Sequence, residues 1–467
     1  MSVRLPISVR SFSFALCAGI CVLTARVIEA QPVTPRQSVR RDTLPNGLTL
    51  IVVENHAVPL ATAHVVFRGG AMTQTVETAG VPHLFEHMLF RAYGTEGNGS
   101  FGEASAQLKA AYNGATDDEE VSYTLWFPAG ELGGAVGLMA DLVRDPTFAN
   151  DNLQVERFVV RNEMQRAQSQ PSYLLDDAMR RALWGSWFPR KNTIGTDIAL
   201  FAVNTAGLKT IYDTWYVPNN AALVVTGDVD SDKVFGEARK AFGRWRRRDD
   251  PTVGNPVPIP PPLDSTIAFV YAHEVQTVTV QVSWRGPSLA QDAPDVRDAA
   301  TMADLLNADD SPFQRQLVDG GYFQSAVMAA DINQYGSEIR FTGSTTVERL
   351  ADALSVFGTT IGSISTDGYF DDAMLAADAR RDQTALAIAF EETQSLAQSI
   401  GSAWARRRLD TYLAPGSAAT VTATTLHAFA RRWLAPDRPY VIGVLTPVNT
   451  QQAVTQTVAQ YVAFMKQ

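Results

Sequence analysis

The chain has 467 residues, of which 46% are hydrophobic and 19% charged, with a formal net charge of −10. Such a chain is long and apolar enough for two to four domains with sizeable cores, which excludes an intrinsically disordered polypeptide. The longest basic run, RWRRR (244–248), leads straight into Asp249 and Asp250, so it reads as a solvated helix end, and no nucleic-acid partner is expected.

In chain order, the first feature is a leader. Arg4 and Arg10 precede an uncharged run over 12–25, followed by small residues. This is the pattern of an export signal at 1–30, cut after Ala30 or after Ala25, and it predicts a periplasmic protein. A mitochondrial presequence is the rival reading, because no acid occurs before Glu29. Such presequences are amphipathic, however, whereas this run is continuously apolar. The run is short for a spanning helix and no later stretch is long enough, so no stable membrane insertion is expected. Both cysteines, Cys17 and Cys21, lie inside the leader. The mature chain then has no thiol for a disulfide, a nucleophile or a metal site.

After the leader, LTLIVVEN (48–55) and TAHVVFRG (62–69) read as strands. Helices are expected over VPHLFEHMLF (81–90), SFGEASAQLKAAY (100–112), 131–145, 152–167 and 173–185. A strand, VSYTLWFP (121–128), falls among them, and a late strand, AALVVTGDV, leads into a helix at 231–245. The proline-crowded segment 248–265 breaks any regular element. It divides the mature chain into a domain at 31–247 and a second at 266–467. The two share landmarks: HVVFRGG (64–70) matches QVSWRGP (281–287), and WYVPNNAALVVTGDV (215–229) matches WLAPDRPYVIGVLTP (433–447). Phe67 corresponds to Trp284 and Trp215 to Trp433, at offsets of 217 and 218. Two distant landmarks that keep one offset indicate duplication. The expected fold is α+β: two tandem homologous domains, each with helices packed on a mainly antiparallel sheet.

His83 and His87 stand four apart in the predicted helix at 81–90, with Glu86 between them. Residues four apart share a helix face, so both imidazoles can meet one cation, and Glu86, three after His83, lies on the same side. A carboxylate there can take a proton from a water held beside the metal, as in the reversed form of the His-Glu-x-x-His protease helix. Packed neutral histidines are the bland alternative. Burying two imidazoles and a carboxylate among apolar neighbours costs several kcal/mol unless they are partnered. A catalytic zinc takes three protein ligands, and either Glu156 or Glu163, seven apart on one helix face, can supply the third, leaving the other to orient a histidine or the water. The duplication acts as an internal control. An offset of 217 places Ala300, Ala303, Asp304 and Arg380 opposite His83, Glu86, His87 and Glu163, so the second copy lacks every candidate ligand. His56, His64, His273 and His427 read as structural or solvated.

These motifs resemble the pitrilysin, insulin-degrading enzyme and mitochondrial-processing-peptidase family of zinc metallopeptidases, the inverzincins, in its short two-domain form. The likeness spans nearly all of the mature chain. It rests on FRGGAMTQTVETAGVPHLFEHMLF, on NGATDDEEVSY (113–123), similar to a family Asn-Ala-x-Thr edge strand, on ERFVVRNEM (156–164) and on YVPNNAALVVTGDV with AFGRW. The resemblance implies one zinc ion per chain held by His83, His87 and Glu163, with Glu86 as general base and Glu156 supporting a ligand. It implies that Asn113 and Ala115 lie on or beside a strand that pairs with an extended peptide substrate. One departure stands out. Family members carry a Leu-Arg-x-x-x-Gly-x-x-Tyr pattern in the second domain, where Arg and Tyr steady the substrate. Here QRQLVDGGYFQS (314–325) has Val318 at the Arg place and, with one residue fewer between the two places than in the pattern, Gln324 at the Tyr place, while Arg315 and Tyr322 are off register. The expectation is a zinc endopeptidase subunit, the metal-bearing half of a heterodimer whose homologous partner supplies the Arg/Tyr pair. The alternatives are a non-catalytic peptide-binding or scaffold subunit, and a homodimer that uses Arg315 and Tyr322.

Overall fold

Two sheets organise the computed structural model, which describes residues 39–93, 99–413 and 421–466; the leader expected at 1–30 lies outside these residues. The first sheet contains β1 (Arg40–Thr43), β2 (Thr49–Glu54), β3 (Leu60–Arg68), β4 (Ala111–Thr116), β5 (Glu120–Pro128) and β6 (Ala221–Gly227), in the order β1-β2-β6-β3-β5-β4. The second contains β7 (Ile267–His273), β8 (Val278–Gly286), β9 (Ser325–Asp331), β10 (Ser337–Thr345) and β11 (Val441–Pro447), in the order β7-β11-β8-β10-β9. Apart from β1 the two orders are identical. Each sheet is antiparallel except for one parallel pair, β2 with β6 and β7 with β11. Phe67 faces Val121 across β3 and β5, and Trp284 faces Ile339 across β8 and β10. The duplication read from spacing is thus a duplication of topology, and the α+β expectation holds.

The first half carries eight α-helices among its described residues: α1 (Val81–Ala92), α2 (Phe101–Gln107), α3 (Leu132–Arg144), α4 (Asn150–Gln168), α5 (Pro171–Trp184), α6 (Asp197–Ala202), α7 (Thr205–Trp215) and α8 (Ser231–Phe242). Phe85 and Met88 of α1, Val136 and Met139 of α3, and Val234 and Phe242 of α8 join Leu50, Val65 and Leu125 of the sheet in one core. The opposite face of that sheet is covered from far along the chain. The helix Thr393–Ala405 lays Leu396, Ala397 and Ile400 against Ile51, Val53, Val66, Ala222 and Val224. A sheet covered on both faces needs continuous rather than alternating apolar strands, and β3 is accordingly buried from Ala61 to Phe67. The arrangement is reciprocal, because α5 of the first half packs Leu175, Met179 and Leu183 against Val441 and Leu445 of the second sheet. A matched contact closes each exchange. Arg68 lies over the Trp404 ring at 3.8 Å and Arg285 over the Trp184 ring at 4.8 Å, and each guanidinium donates to a carbonyl near the end of the helix it stacks on, Trp404 O and Leu183 O.

Three features differ from the sequence reading. The helix expected over 100–112 ends at Gln107; Lys109 turns through a left-handed φ of 54°, and β4 begins at Ala111. Helical propensity loses here to sheet pairing, with Tyr112 opposite Leu125 and its ring against Phe90 and Phe101. The sequence reading does not include β1 and α6, which are short, or α7, whose helical pattern is as clear as that of α1 and α3. Segment 248–265 includes one helical turn, Pro251–Gly254. It is also tied down: Pro258 O accepts from Trp187 Nε1 at 3.0 Å, and Val257 and Leu263 pack beside α5. Among the described residues no helix is long and apolar enough to cross a membrane.

Candidate metal centre

The site begins with the entry of α1. Gly80 caps the helix at a left-handed φ of 88°, a conformation that glycine adopts readily. A Cβ there would lie 2.5 Å from Gly195 Cα, so the position has no room for a side chain. Gln74 fixes the turn by accepting the Gly80 N–H at 2.7 Å and donating to Asn192 O at 2.9 Å. Pro82 occupies the first turn, where its missing N–H costs nothing. Leu84, Phe85, Met88 and Leu89 are fully buried. This leaves His83, Glu86 and His87 on the side of α1 that lines a cavity.

Across that cavity α4 presents its two acids. Glu163 Oε2 lies 3.8 Å from His83 Nε2 and 3.6 Å from His87 Nε2. Glu156 Oε2 lies 3.1 Å from His87 Nδ1, and Glu156 Oε1 accepts from Arg91 Nε at 2.7 Å. The two glutamates therefore divide the work that the sequence left open: Glu163 faces both imidazoles, while Glu156 is 3% exposed and holds one of them from behind. The rings of His83 and His87 stand edge to face at 4.9 Å. Among the described residues, His83, His87 and Glu163 form the one group of at least three His, Cys, Asp or Glu side chains whose ligand atoms all lie within 4.8 Å of one another.

The insulinase (peptidase family M16) model matches residues 50–195, and the peptidase M16 inactive-domain model matches residues 202–377. The chain belongs to peptidase family M16. It is 29% identical over 219 residues to an uncharacterized zinc protease of Mycobacterium tuberculosis, a match covering 46% of this chain and 50% of that protein. The match thus spans about half the length of that curated relative. In fold it matches a protease from Helicobacter pylori with a TM-score of 0.75 and 19% identity, over 87% of this chain and 99% of that one. It matches pitrilysin with a TM-score of 0.76 and 16% identity, over 93% of this chain and 49% of that one. The chain carries two domains of the M16 fold.

Zinc is the ion that the names of the M16 relatives point to, and the donor set here fits it. Two imidazole nitrogens and one carboxylate oxygen, each about 2.0–2.2 Å from a tetrahedral ion, would stand roughly 3.3–3.6 Å apart, close to the 3.6 and 3.8 Å observed. Burial, with a smaller contribution from His87, pushes the His83 imidazole down to about 4, leaving it neutral with a free lone pair. At His87 burial alone would lower the pKa, but the Glu156 hydrogen bond and the charges of Glu86 and Glu163 raise it. The Nδ1–H that Glu156 accepts leaves Nε2 as the atom facing Glu163. Burial pushes the Glu86 carboxyl up, against the opposing pull of the Thr116 hydrogen bond and of His87.

The cavity measures about 1100 Å³. Asn113 and Ala115 line it from β4, which ends the first sheet, so among the described residues one side of β4 has no neighbouring strand. Both are exposed, and they alternate with Gly114 and Thr116, whose side faces Glu86. Sequence reasoning missed Arg91, which holds Glu156, although it lies one helical turn beyond His87. It also missed Thr116, whose hydroxyl donates to Glu86 Oε2 at 2.8 Å, a contact between residues 30 apart with no periodic signal. Val318, Gln324, Arg315 and Tyr322 do not line the cavity. Val318 and Tyr322 pack against the second core, while Arg315 and Gln324 are exposed. The remaining histidines, His56, His64, His273 and His427, do not line the cavity. His64 is buried with Nδ1 2.8 Å from Thr124 Oγ1, His56 pairs with Asp228 at 2.6 Å, and the ring of His427 packs beside Phe370.

Proposed function

We propose that this chain is a zinc-dependent endopeptidase subunit that hydrolyses extended peptides or unfolded segments, and that it is the metal-bearing half of a heterodimer. The observation that carries the reading is the convergence of His83, His87 and Glu163 beside Glu86 in a large cavity bordered by an unpaired strand edge. Bound by those three residues, zinc would supply a Lewis acid that polarises a peptide carbonyl and acidifies a water. The chain's own groups supply the rest. Glu86 takes a proton at the oxygen not held by Thr116, and its burial strengthens its hold on that proton. Glu156 fixes the tautomer and angle of His87, and Arg91 fixes Glu156. The free edge of β4, with Asn113 and Ala115, offers backbone hydrogen bonds to an extended substrate, which gives affinity with little demand on sequence. The export pattern at 12–25 supports a periplasmic location. The absence of Val318, Gln324, Arg315 and Tyr322 from the cavity lining supports a partner that contributes Arg and Tyr.

Metal analysis of the purified full chain, with hydrolysis of an unstructured peptide assayed alone and with a homologous chain carrying Arg and Tyr, tests this reading. One zinc per chain and turnover that rises with the partner are expected; zinc near zero would reject it. A non-catalytic peptide-binding subunit is the second reading, favoured by Val318 and Gln324 at the Arg and Tyr places. It predicts peptide binding on β4 with no turnover under either condition. Turnover by the chain alone, lost on Tyr322→Phe, would instead support a self-sufficient homodimer.

A further inference from the structure

β4 touches the candidate base as well as bordering the cavity. Its alternate residues face α1, and two of them meet Glu86. Thr116 Oγ1 donates to Oε2 at 2.8 Å. At Gly114 an added Cβ would fall far inside contact distance of Glu86 Oε1 and 2.9 Å from the Phe90 ring. Gly114 does not have a positive φ, and the atoms that a Cβ would meet there are the tip of the flexible Glu86 side chain and the Phe90 ring, so a side chain at this place would displace the carboxylate. Glu86 is 8% exposed, and a carboxylate so buried needs hydrogen-bond partners to keep one orientation.

We propose that Gly114 and Thr116 are positioning residues for Glu86. Gly114 leaves the gap that the carboxylate fills, and Thr116 holds one oxygen so that the other stays free to accept a proton. The strand that would receive the peptide then also sets the base. The turn that follows Thr116 is held by residues remote in sequence, most of them in the second half. Glu119 accepts the N–H groups of Gln334 and Tyr335 at 2.6 and 2.7 Å. Arg406 bridges Asp117 at 2.6 Å and Glu120 at 3.1 Å. Lys191 meets Asp118 at 2.7 Å. This inference rests on the peptidase reading for its consequence, but its geometry can be tested without turnover.

Crystal structures of the full chain carrying Thr116→Val, Thr116→Ser or Gly114→Ala read the carboxylate directly. The Glu86 side chain is expected to swing away from β4 in the valine and alanine variants and to stay in place in the serine variant, with zinc content equal to that of the parent in all three. On an unstructured quenched peptide, kcat of Thr116→Val should fall about tenfold at unchanged KM, the size of one lost hydrogen bond to a charged acceptor, and Thr116→Ser should restore it. Glu86 unmoved in both the valine and alanine variants, or serine and valine variants equally impaired, would overturn the proposal. If Gly114→Ala does not fold, the two Thr116 variants decide alone. If the parent hydrolyses no peptide, the peptidase reading fails while the crystallographic comparison still decides the positioning.

Discussion

The two halves present one topology with opposite contents at the corresponding place. Where α1 carries His83, Glu86 and His87, the helix Ala293–Asn307 carries Ala300, Ala303 and Asp304. Where α4 carries Glu163, the helix Asp372–Ala389 carries Arg380. The second place still collects acids: burial, then Asp378 and Asp382, push the Asp304 carboxyl up to about 6, and Asp378 pairs with Arg381 at 2.9 Å. Carboxylates crowded together without imidazoles raise one another's pKa, whereas two imidazoles and a carboxylate make a donor set. The comparison shows that layer packing and strand order survive complete replacement of the chemical residues, so the fold places no demand on them.

The largest effect that could break this contrast comes from the ligands. His83→Ala or Glu163→Ala is expected to abolish stoichiometric zinc by metal analysis, while Asp304→Asn in the second half leaves it unchanged; zinc loss from the Asp304 variant would make the second place part of the site. Glu86→Gln is expected to keep zinc and lower kcat by about 10²–10⁴-fold, the range for a general base, and a fully active variant would sink that assignment. Trp184→Ala and Trp404→Ala remove equivalent contacts from the two halves, so each should lower stability by about 3–5 kcal/mol in denaturant titration. A large loss from only one of them would show that the exchange of helices is not energetically symmetric.

The smallest expected effect is a pH dependence at His64. Burial depresses this imidazole from its ordinary 6.5 to about 4. The unfolded chain therefore binds the proton first, and stability is lost as pH falls through that window, by a few kcal/mol at about 1.4 kcal/mol per pKa unit. Gln281 is the counterpart at the same offset and donates to Asp176 Oδ1 at 2.8 Å. His64→Gln installs the residue type of the second half and should flatten the fall of melting temperature between pH 6.5 and 4. An unchanged slope would place the acid lability elsewhere.

The parts of the fold legible in the sequence were those carried by local pattern or by repetition. The run of apolar residues in β3, the i, i+4 histidines of α1 and the constant offset between Phe67 and Trp284 each leave a mark in one stretch of chain. The site was legible as far as spacing on a helix reaches: His83, His87, Glu156 and Glu163 meet because α1 and α4 each present one face. What was not legible depends on distant pairing. The resemblance marks a strand at Asn113, but no local propensity announces that β5 will pull Ala111 and Tyr112 out of a helix. The covering of the first sheet by Leu396 and Ile400, more than 300 residues beyond β2, leaves no periodic trace, and neither does the Thr116–Glu86 contact.

The exchange of helices has a consequence for biosynthesis. A nascent chain that has left the ribosome through residue 247 has completed the strands and the candidate metal ligands of its first half, yet Ile51, Val53, Val66 and Val224 wait uncovered for residues 390–409 to be translated. An apolar sheet face exposed for that interval is an adhesive surface. A message truncated after the proline-rich segment is therefore expected to yield insoluble protein even though every candidate metal ligand has been made, and co-expression of residues 266–467 is expected to return it to the soluble fraction.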